Sequence, residues 1–373
     1  MGAYYGLIVF IGIIRLLTKI IPNKKKSDDV FVLISFVAAT LLQGARSIEV
    51  GTDIPGYMNG YYLCGIRPWF SEVFNYEVGY RILCKIIYLT GASEQVFLLV
   101  VAIICQGSVF NFIRKHSRFP AISIVIYLTF GLYTFSFSGL RQMIAIAIVL
   151  FSYDYIKERK IFHFLIVVLF ASLFHTSAVF FIVAYPLYYM EISMRGVFMA
   201  IGGLIAEAIL GGKIVQAAML FYKNREYETQ YTGAYMAFIM YVCVWLGAVF
   251  LIGKNKELNS FENYILLAAA IQELGMYHMS IARLGYYFSF FICLLLPEMV
   301  VELTKNDWKM RCAITTALVF CCFLYFNINT GDGYLNVCPY IPFCGYNFSG
   351  VQFIMNEIVY LGYYTCPAIY CEK

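Results

Sequence analysis

The run SFSGLRQMIAIAIVLFSYDY, residues 136–155, decides the fold. Arg141-Gln142 stands where one hydrophobic segment, Ala121 to Leu140, hands over to the next, Met143 to Tyr155. A permanently charged guanidinium at a membrane-embedded turn is expensive, so it is better suited to serving a site than to decorating a surface. The rest of the chain agrees. Of its 373 residues, 61% are hydrophobic and only 13% are charged, with a mean hydropathy of +0.74. A soluble domain carries about 25% charged residues. The sequence therefore predicts an all-α polytopic membrane protein. The aromatic content of 18% suits interfacial belts and sugar-stacking surfaces alike. The net charge of +5 is no sign of nucleic-acid binding, because the basic residues lie in short loops between apolar stretches.

A spanning helix needs roughly 20 mostly apolar residues. Candidate spans are 3–21, 29–45, 93–112, 120–138, 141–156, 161–174, 176–190, 196–211, 233–252, 262–280, 282–303 and 312–328, about 12 transmembrane helices. Residues 1–21 lack a basic start and a small-residue cleavage site, which predicts a retained first helix. Alternating loops carry Lys24, Lys25 and Lys26; Arg114, Lys115 and Arg118; Lys157, Arg159 and Lys160; Arg195; Lys254 and Lys256; and Lys305, Lys309 and Arg311. Under the positive-inside rule these six loops share one side if both termini are outside. The bundle is then residues 1–328, with outer-face loops 46–92 and 212–232 and an extracytoplasmic, cysteine-containing tail over 329–373. Within the first loop, Val78 to Thr90 carries Arg81 and Lys85 and reads as an interfacial or re-entrant helix. The second outer segment holds Lys213, Lys223, Arg225, Glu226 and Glu228.

Cys105, Cys243, Cys293, Cys312, Cys321 and Cys322 fall in apolar stretches and read as small packing residues. Cys338, Cys344, Cys366 and Cys371 cluster near the end, where an oxidising compartment would allow one or two disulfides of unassigned pairing. Their spacings are poor zinc signatures. There is no P-loop, no G-x-G-x-x-G, no internal repeat and no soluble domain to seat nucleotide-sugar chemistry. No cofactor and no metal are expected.

Four polar clusters fall on the outer side of this topology. The first starts at Arg46 and runs through Asp53 to Tyr57, a cation and a carboxylate across a Gly- and Pro-punctuated turn. It serves as a loop over a pocket or as a simple Arg–Asp brace. Glu77 and Arg81 follow, spaced as an i,i+4 ion pair on a helix. The second is Arg141-Gln142, wrapped by Ser136, Ser138 and Gly139, company that lipid-facing snorkelling does not need. Arginine is the residue of choice for forked binding of phosphate oxygens. The third is His175 in Phe174-His175-Thr176-Ser177-Ala178, an imidazole able to act as general base, phosphate donor or cap. The fourth sets Arg283, Tyr286 and Tyr287 on one helix face, with Gln272 and Glu273 a few turns before. Glu207, inside an apolar stretch, has no role on this reading.

In series, R-x6-D-x3-Y (Arg46, Asp53, Tyr57), E-x-G-Y (Glu77, Gly79, Tyr80), G-L-R-Q (Gly139 to Gln142), F-H-x-S-A (Phe174 to Ala178) and R-L-x-Y-Y-F (Arg283 to Phe288) resemble the EpsG family over residues 1 to 343. That family is similar in role to the Wzy polymerases of O-antigen, capsule and exopolysaccharide, which in turn resemble multi-span glycosyltransferases using lipid-linked donors. The resemblance implies a polymerase joining undecaprenyl-diphosphate-linked repeat units on the outer face of the bacterial cytoplasmic membrane. A flippase and a chain-length regulator are its implied partners. Arg141 and Arg283 are the expected diphosphate ligands with Arg46 as a third cation. Gln142, Tyr57, Tyr80, Tyr286 and Tyr287 are expected to line the substrate. Asp53, Glu77 and His175 are the candidate bases, with His175 or Asp53 favoured. A flippase of the same lipid-linked saccharide, a polysaccharide ligase and a membrane O-acyltransferase are the competing readings.

Overall fold

The computed structural model describes residues 1–219, 232–251, 256–305, 307–331 and 335–343. Lys223, Arg225, Glu226, Glu228, Lys254, Cys344, Cys366 and Cys371 lie outside the described residues. The described residues hold helices and no strand. The first third comprises α1 (Gly2–Thr18), α2 (Lys24–Gly44), α3 (Ile54–Ile66), α4 (Val78–Leu89) and α5 (Glu94–His116). Next come α6 (Pro120–Thr129), α7 (Leu132–Phe135), α8 (Leu140–Phe151), α9 (Tyr153–Lys157) and α10 (Ile161–Ser172). A 3-10 helix, Thr176–Val183, leads into α11 (Ala184–Tyr189). The remainder is α12 (Met194–Met219), α13 (Thr232–Leu251), α14 (Lys256–Gly275), α15 (Met279–Ser289), α16 (Ile292–Thr304) and α17 (Trp308–Gly331).

Five stretches are long and apolar enough to cross a bilayer unaided: Lys24–Gly44, Glu94–His116, Met194–Ala217, Ala234–Leu251 and Trp308–Thr330. The pair α15 and α16, bent by 49°, makes a sixth. These mark a multi-pass membrane protein. Several apolar stretches are interrupted. Residues 120–138, expected as one span, break after α6 at Gly131, whose φ of +79° a residue without a side chain adopts freely. Residues 141–156 divide at Ser152. The 161–190 stretch forms two short helices packed back to back, α10 and the 176–189 pair. At 12 residues, α10 rises only about 18 Å. Its far end, next to His175, therefore falls short of a full bilayer crossing.

Broken backbone survives at membrane depth only where protein groups satisfy it. Here they do. The Gln43 side chain donates to Ser136 O at 2.7 Å. Gln106 donates to Gln43 Oε1 at 2.7 Å and accepts from the Tyr127 hydroxyl at 2.8 Å. Tyr133 donates to Ala39 O at 2.7 Å. The bonds of Gln43, Gln106 and Tyr127, from α2, α5 and α6, anchor Ser136 in the platform, residues 136–139, from which α8 starts.

The long connections are also structured. α3 and α4 run side by side in the same direction: Tyr57 meets Tyr80 and Tyr61 meets Tyr88. A return loop over residues 67–77 is held through its carbonyls. Lys85 donates to Arg67 O and also to Gly65 O in the last turn of α3, and Arg81 donates to Ser71 O. Residues 335–343 lie across the loop after α2. Ser47 N donates to Ile341 O at 2.8 Å, Phe343 N to Ala45 O at 2.8 Å, and Thr52 N to Leu335 O at 3.0 Å. Tyr4 and Tyr340 add hydroxyl bonds to Val337 O and Leu42 O, both at 2.9 Å.

The cysteines divide differently from the sequence expectation. Cys105, Cys293 and Cys322 are buried, whereas Cys243, Cys312 and Cys321 are exposed on the helix surfaces.

Candidate active site

Four helices begin at one place. Asp53 precedes α3, Glu77 precedes α4, Gly139 precedes α8, and His175 precedes the 176–183 helix. Helix N-termini carry unpaired N–H groups and roughly half a positive charge each, which favours anions. The sequence supplies this convergence with side chains of both signs.

Glu77 is the hub. Its Oε2 accepts from Arg141 at 2.6 Å. Its Oε1 lies 3.1 Å from His175 Nδ1 and accepts the Thr176 backbone N–H and hydroxyl, each at 3.0 Å. The carboxylate is 15% exposed and Arg141 20%. Burial alone would raise the Glu77 carboxyl. The bonds from His175 and the Thr176 N–H, together with the Arg141 charge, override burial and hold it at about 2. These partners favour the ionised form of Glu77. Because the carboxylate has no hydrogen to give, His175 Nδ1 is the donor in this bond, which makes Nε2 the basic nitrogen. A carboxylate fixing a histidine tautomer is the logic of hydrolase triads.

Arg141 is held on three sides. Beyond Glu77 it donates to Asn75 O at 3.1 Å, and its guanidinium lies over Tyr76 at 4.6 Å and Tyr57 at 5.9 Å. Gln142 links it to the second cation by donating to Arg283 O at 2.6 Å. Arg283 meets Asp53 at 3.4 Å. The Asp53 backbone N–H donates to Ser138 Oγ at 3.2 Å, on the platform just before α8. Tyr57, one turn into α3, sits in the fields of Arg141, Asp53 and Arg283 together. Two guanidiniums, two carboxylates and one imidazole therefore share one polar centre.

The docking that builds it is close. Gly79 N donates to Leu173 O at 2.7 Å, and a side-chain carbon at Gly79 would stand 2.8 Å from that same oxygen. Only glycine lets α4 start directly against the tip of α10, which is what brings Glu77 to His175.

The structure gathers Asp53, Glu77, Arg141, Gln142, His175, Arg283 and Tyr57, and sets other expected residues apart. Arg46 is not a third open cation: it is 0% exposed and donates to Gln43 O at 2.7 Å and Phe137 O at 3.0 Å. Nor does it brace Asp53, whose partner is Arg283. The expected Glu77–Arg81 pair is absent, because Glu77 precedes α4 with extended backbone and its side chain is off the helix face. Tyr80 is enclosed among Tyr57, Tyr76 and Phe97. Tyr286 stacks on Phe135 at 4.0 Å. Tyr287, also enclosed, bonds Ser177 at 3.0 Å, so it supports the histidine turn from behind. Sequence reasoning missed the roles of Asn75, Tyr76 and Thr176. The first two flank the E-x-G-Y motif, and their adjacency to Glu77 was the available signal. No group of three or more His, Cys, Asp or Glu side chains able to hold a metal occurs among the described residues.

No curated protein and no solved structure matches the chain. A family model described as the EpsG family matches residues 5–341, which takes in every residue of this centre. The chain therefore belongs to the EpsG family.

Proposed function

We propose that the protein is a polymerase of lipid-diphosphate-linked saccharide repeat units, working on the outer face of the bacterial cytoplasmic membrane. Membership of the EpsG family supports polysaccharide synthesis in general. The observation that carries the finer reading is the tethering of Arg141 and Arg283 to one centre through Gln142, each leashed to a carboxylate, with His175 on the same carboxylate as Arg141.

In the proposed step, the growing chain is attached through its anomeric carbon to undecaprenyl diphosphate. A hydroxyl of a second lipid-linked unit attacks that carbon. The new glycosidic C–O bond forms, the bond to the diphosphate breaks, and the lipid diphosphate leaves with the electron pair. His175 Nε2 takes the hydroxyl proton as general base, and Glu77 fixes the ring and stabilises the imidazolium. Arg141 and Arg283 stabilise charge growing on the diphosphate, aided by the helix N-termini. Their carboxylate partners hold them in place beforehand, so little reorganisation is needed as charge develops.

Purified protein with a synthetic lipid-linked repeat unit tests this reading. A ladder of products supports a polymerase. A single transfer indicates a ligase, and unchanged substrate redistributed across the membrane indicates a flippase.

A further inference from the structure

We propose that Arg46 is a positioning residue that fixes the two carriers of the polar centre, the segment bearing Asp53 and the segment bearing Arg141, in register. The proposal rests on the reaction assigned above only for its kinetic arm.

Arg46 is fully buried and has no carboxylate partner among the described residues. Burying a guanidinium without a counter-charge is costly, and burial pulls its pKa down to about 10. Such a group is tolerated where its donors answer backbone carbonyls that would otherwise be stranded. One arm reaches Gln43 O, in the last turn of α2, and the other reaches Phe137 O, in the break before α8. The fork also lies over the Phe137 ring at 4.7 Å. A lysine has one charged nitrogen and cannot reproduce that flat two-armed grip.

Three segments meet at this residue. Its own backbone pairs with Pro342 in the strap over residues 335–343. The neighbouring Gly51 presses so closely on Phe137 O that an added side-chain carbon would stand 2.3 Å away. Ser138, next after Phe137, receives the Asp53 N–H. Arg46 therefore joins the chain that leads to Asp53 to the chain that leads to Arg141, without touching either charged partner pair.

The test compares Arg46→Gln and Arg46→Lys with Tyr133→Phe. Tyr133→Phe removes a buried bond to Ala39 O in the same region while keeping the ring that packs edge-on against Phe137 at 5.0 Å. Hydrogen exchange of the detergent-solubilised protein reads positioning without any substrate. Arg46→Gln is expected to speed exchange about tenfold or more in peptides spanning residues 50–57 and 135–142, with Arg46→Lys between it and the wild type and Tyr133→Phe unchanged there. In polymerisation, kcat falls about tenfold for Arg46→Gln while KM for the lipid-linked unit stays within about twofold, as loss of one charged hydrogen bond implies. Unchanged exchange in both peptides, equal acceleration by Tyr133→Phe, or a rise in KM with kcat preserved would overturn the proposal. Accelerated exchange in Arg46→Gln, alongside a wild type that makes no polymer, would uphold positioning while sinking the polymerase.

Discussion

Replacing Glu77 with glutamine probes the centre at its most connected atom pair. The shape survives, because an amide oxygen can still accept the Thr176 N–H, but the charge that holds Arg141 and orients His175 is lost. The size follows from the carboxyl's displacement, from an ordinary 4.5 to about 2. At about 1.4 kcal/mol per pH unit this is roughly 3 kcal/mol of interaction, reduced to about 2–3 kcal/mol by the group's partial exposure. If the same interaction is needed in the transition state, kcat falls about 30- to 150-fold. KM should hold steady or drop, since Arg141 is freed from an anion that competes with the diphosphate. The assay is ladder formation from a synthetic lipid-linked unit, at matched amounts of inserted protein. Full kcat in Glu77→Gln would refute the hub role of this carboxylate. The pH dependence has a definite sign. The folded pKa lies below the unfolded one, so the stabilisation is complete above about 4.5 and is lost as pH falls toward 2. A thermal melt of the wild type should weaken across that window by more than that of Glu77→Gln.

Further outcomes follow from the same geometry. His175→Ala is expected to lower kcat by about 100- to 10,000-fold, as for loss of a general base, with added imidazole restoring part of the rate. Gly79→Ala forces a carbon against Leu173 O; it should cost about 1–3 kcal/mol in a melt and weaken ladder formation by parting Glu77 from His175. Tyr340→Phe removes the hydroxyl bond to Leu42 O and is expected to lower stability by about 0.5–1.5 kcal/mol in a denaturation series while kcat of the folded protein holds.

Much of the membership of the polar centre was legible in the sequence, residue by residue. Arg141 amid serines and glycine, His175 at a turn, and Arg283 late in the chain each announced themselves by polarity inside apolar surroundings. Their partnerships did not. Arg141, His175 and Arg283 find their carboxylates 64, 98 and 230 residues away, beyond any local spacing rule. The i,i+4 rule assigned Arg81 to Glu77 because it assumes both residues are inside the helix, and Glu77 is just outside it. Arg46 read as a ligand for the same kind of reason. Composition reveals a cation in a loop, but not that Gln43 O and Phe137 O need its hydrogens. Hydropathy likewise registered residues 120–138 as one apolar stretch, since a break at Gly131, its carbonyl met by Phe135 N and Thr134 Oγ1, leaves no mark on apolar content.

The central claim, that Arg141 and Arg283 act together as a cradle for a prenyl diphosphate, is tested most directly by binding. Titration of a short-chain prenyl diphosphate into detergent-solubilised wild type, Arg141→Ala, Arg283→Ala and the double variant gives four dissociation constants. Each single variant is expected to bind about 10- to 100-fold more weakly, as for loss of a charged hydrogen bond, and the double variant not measurably. Wild-type affinity in both single variants, with the proteins folded, would contradict the account.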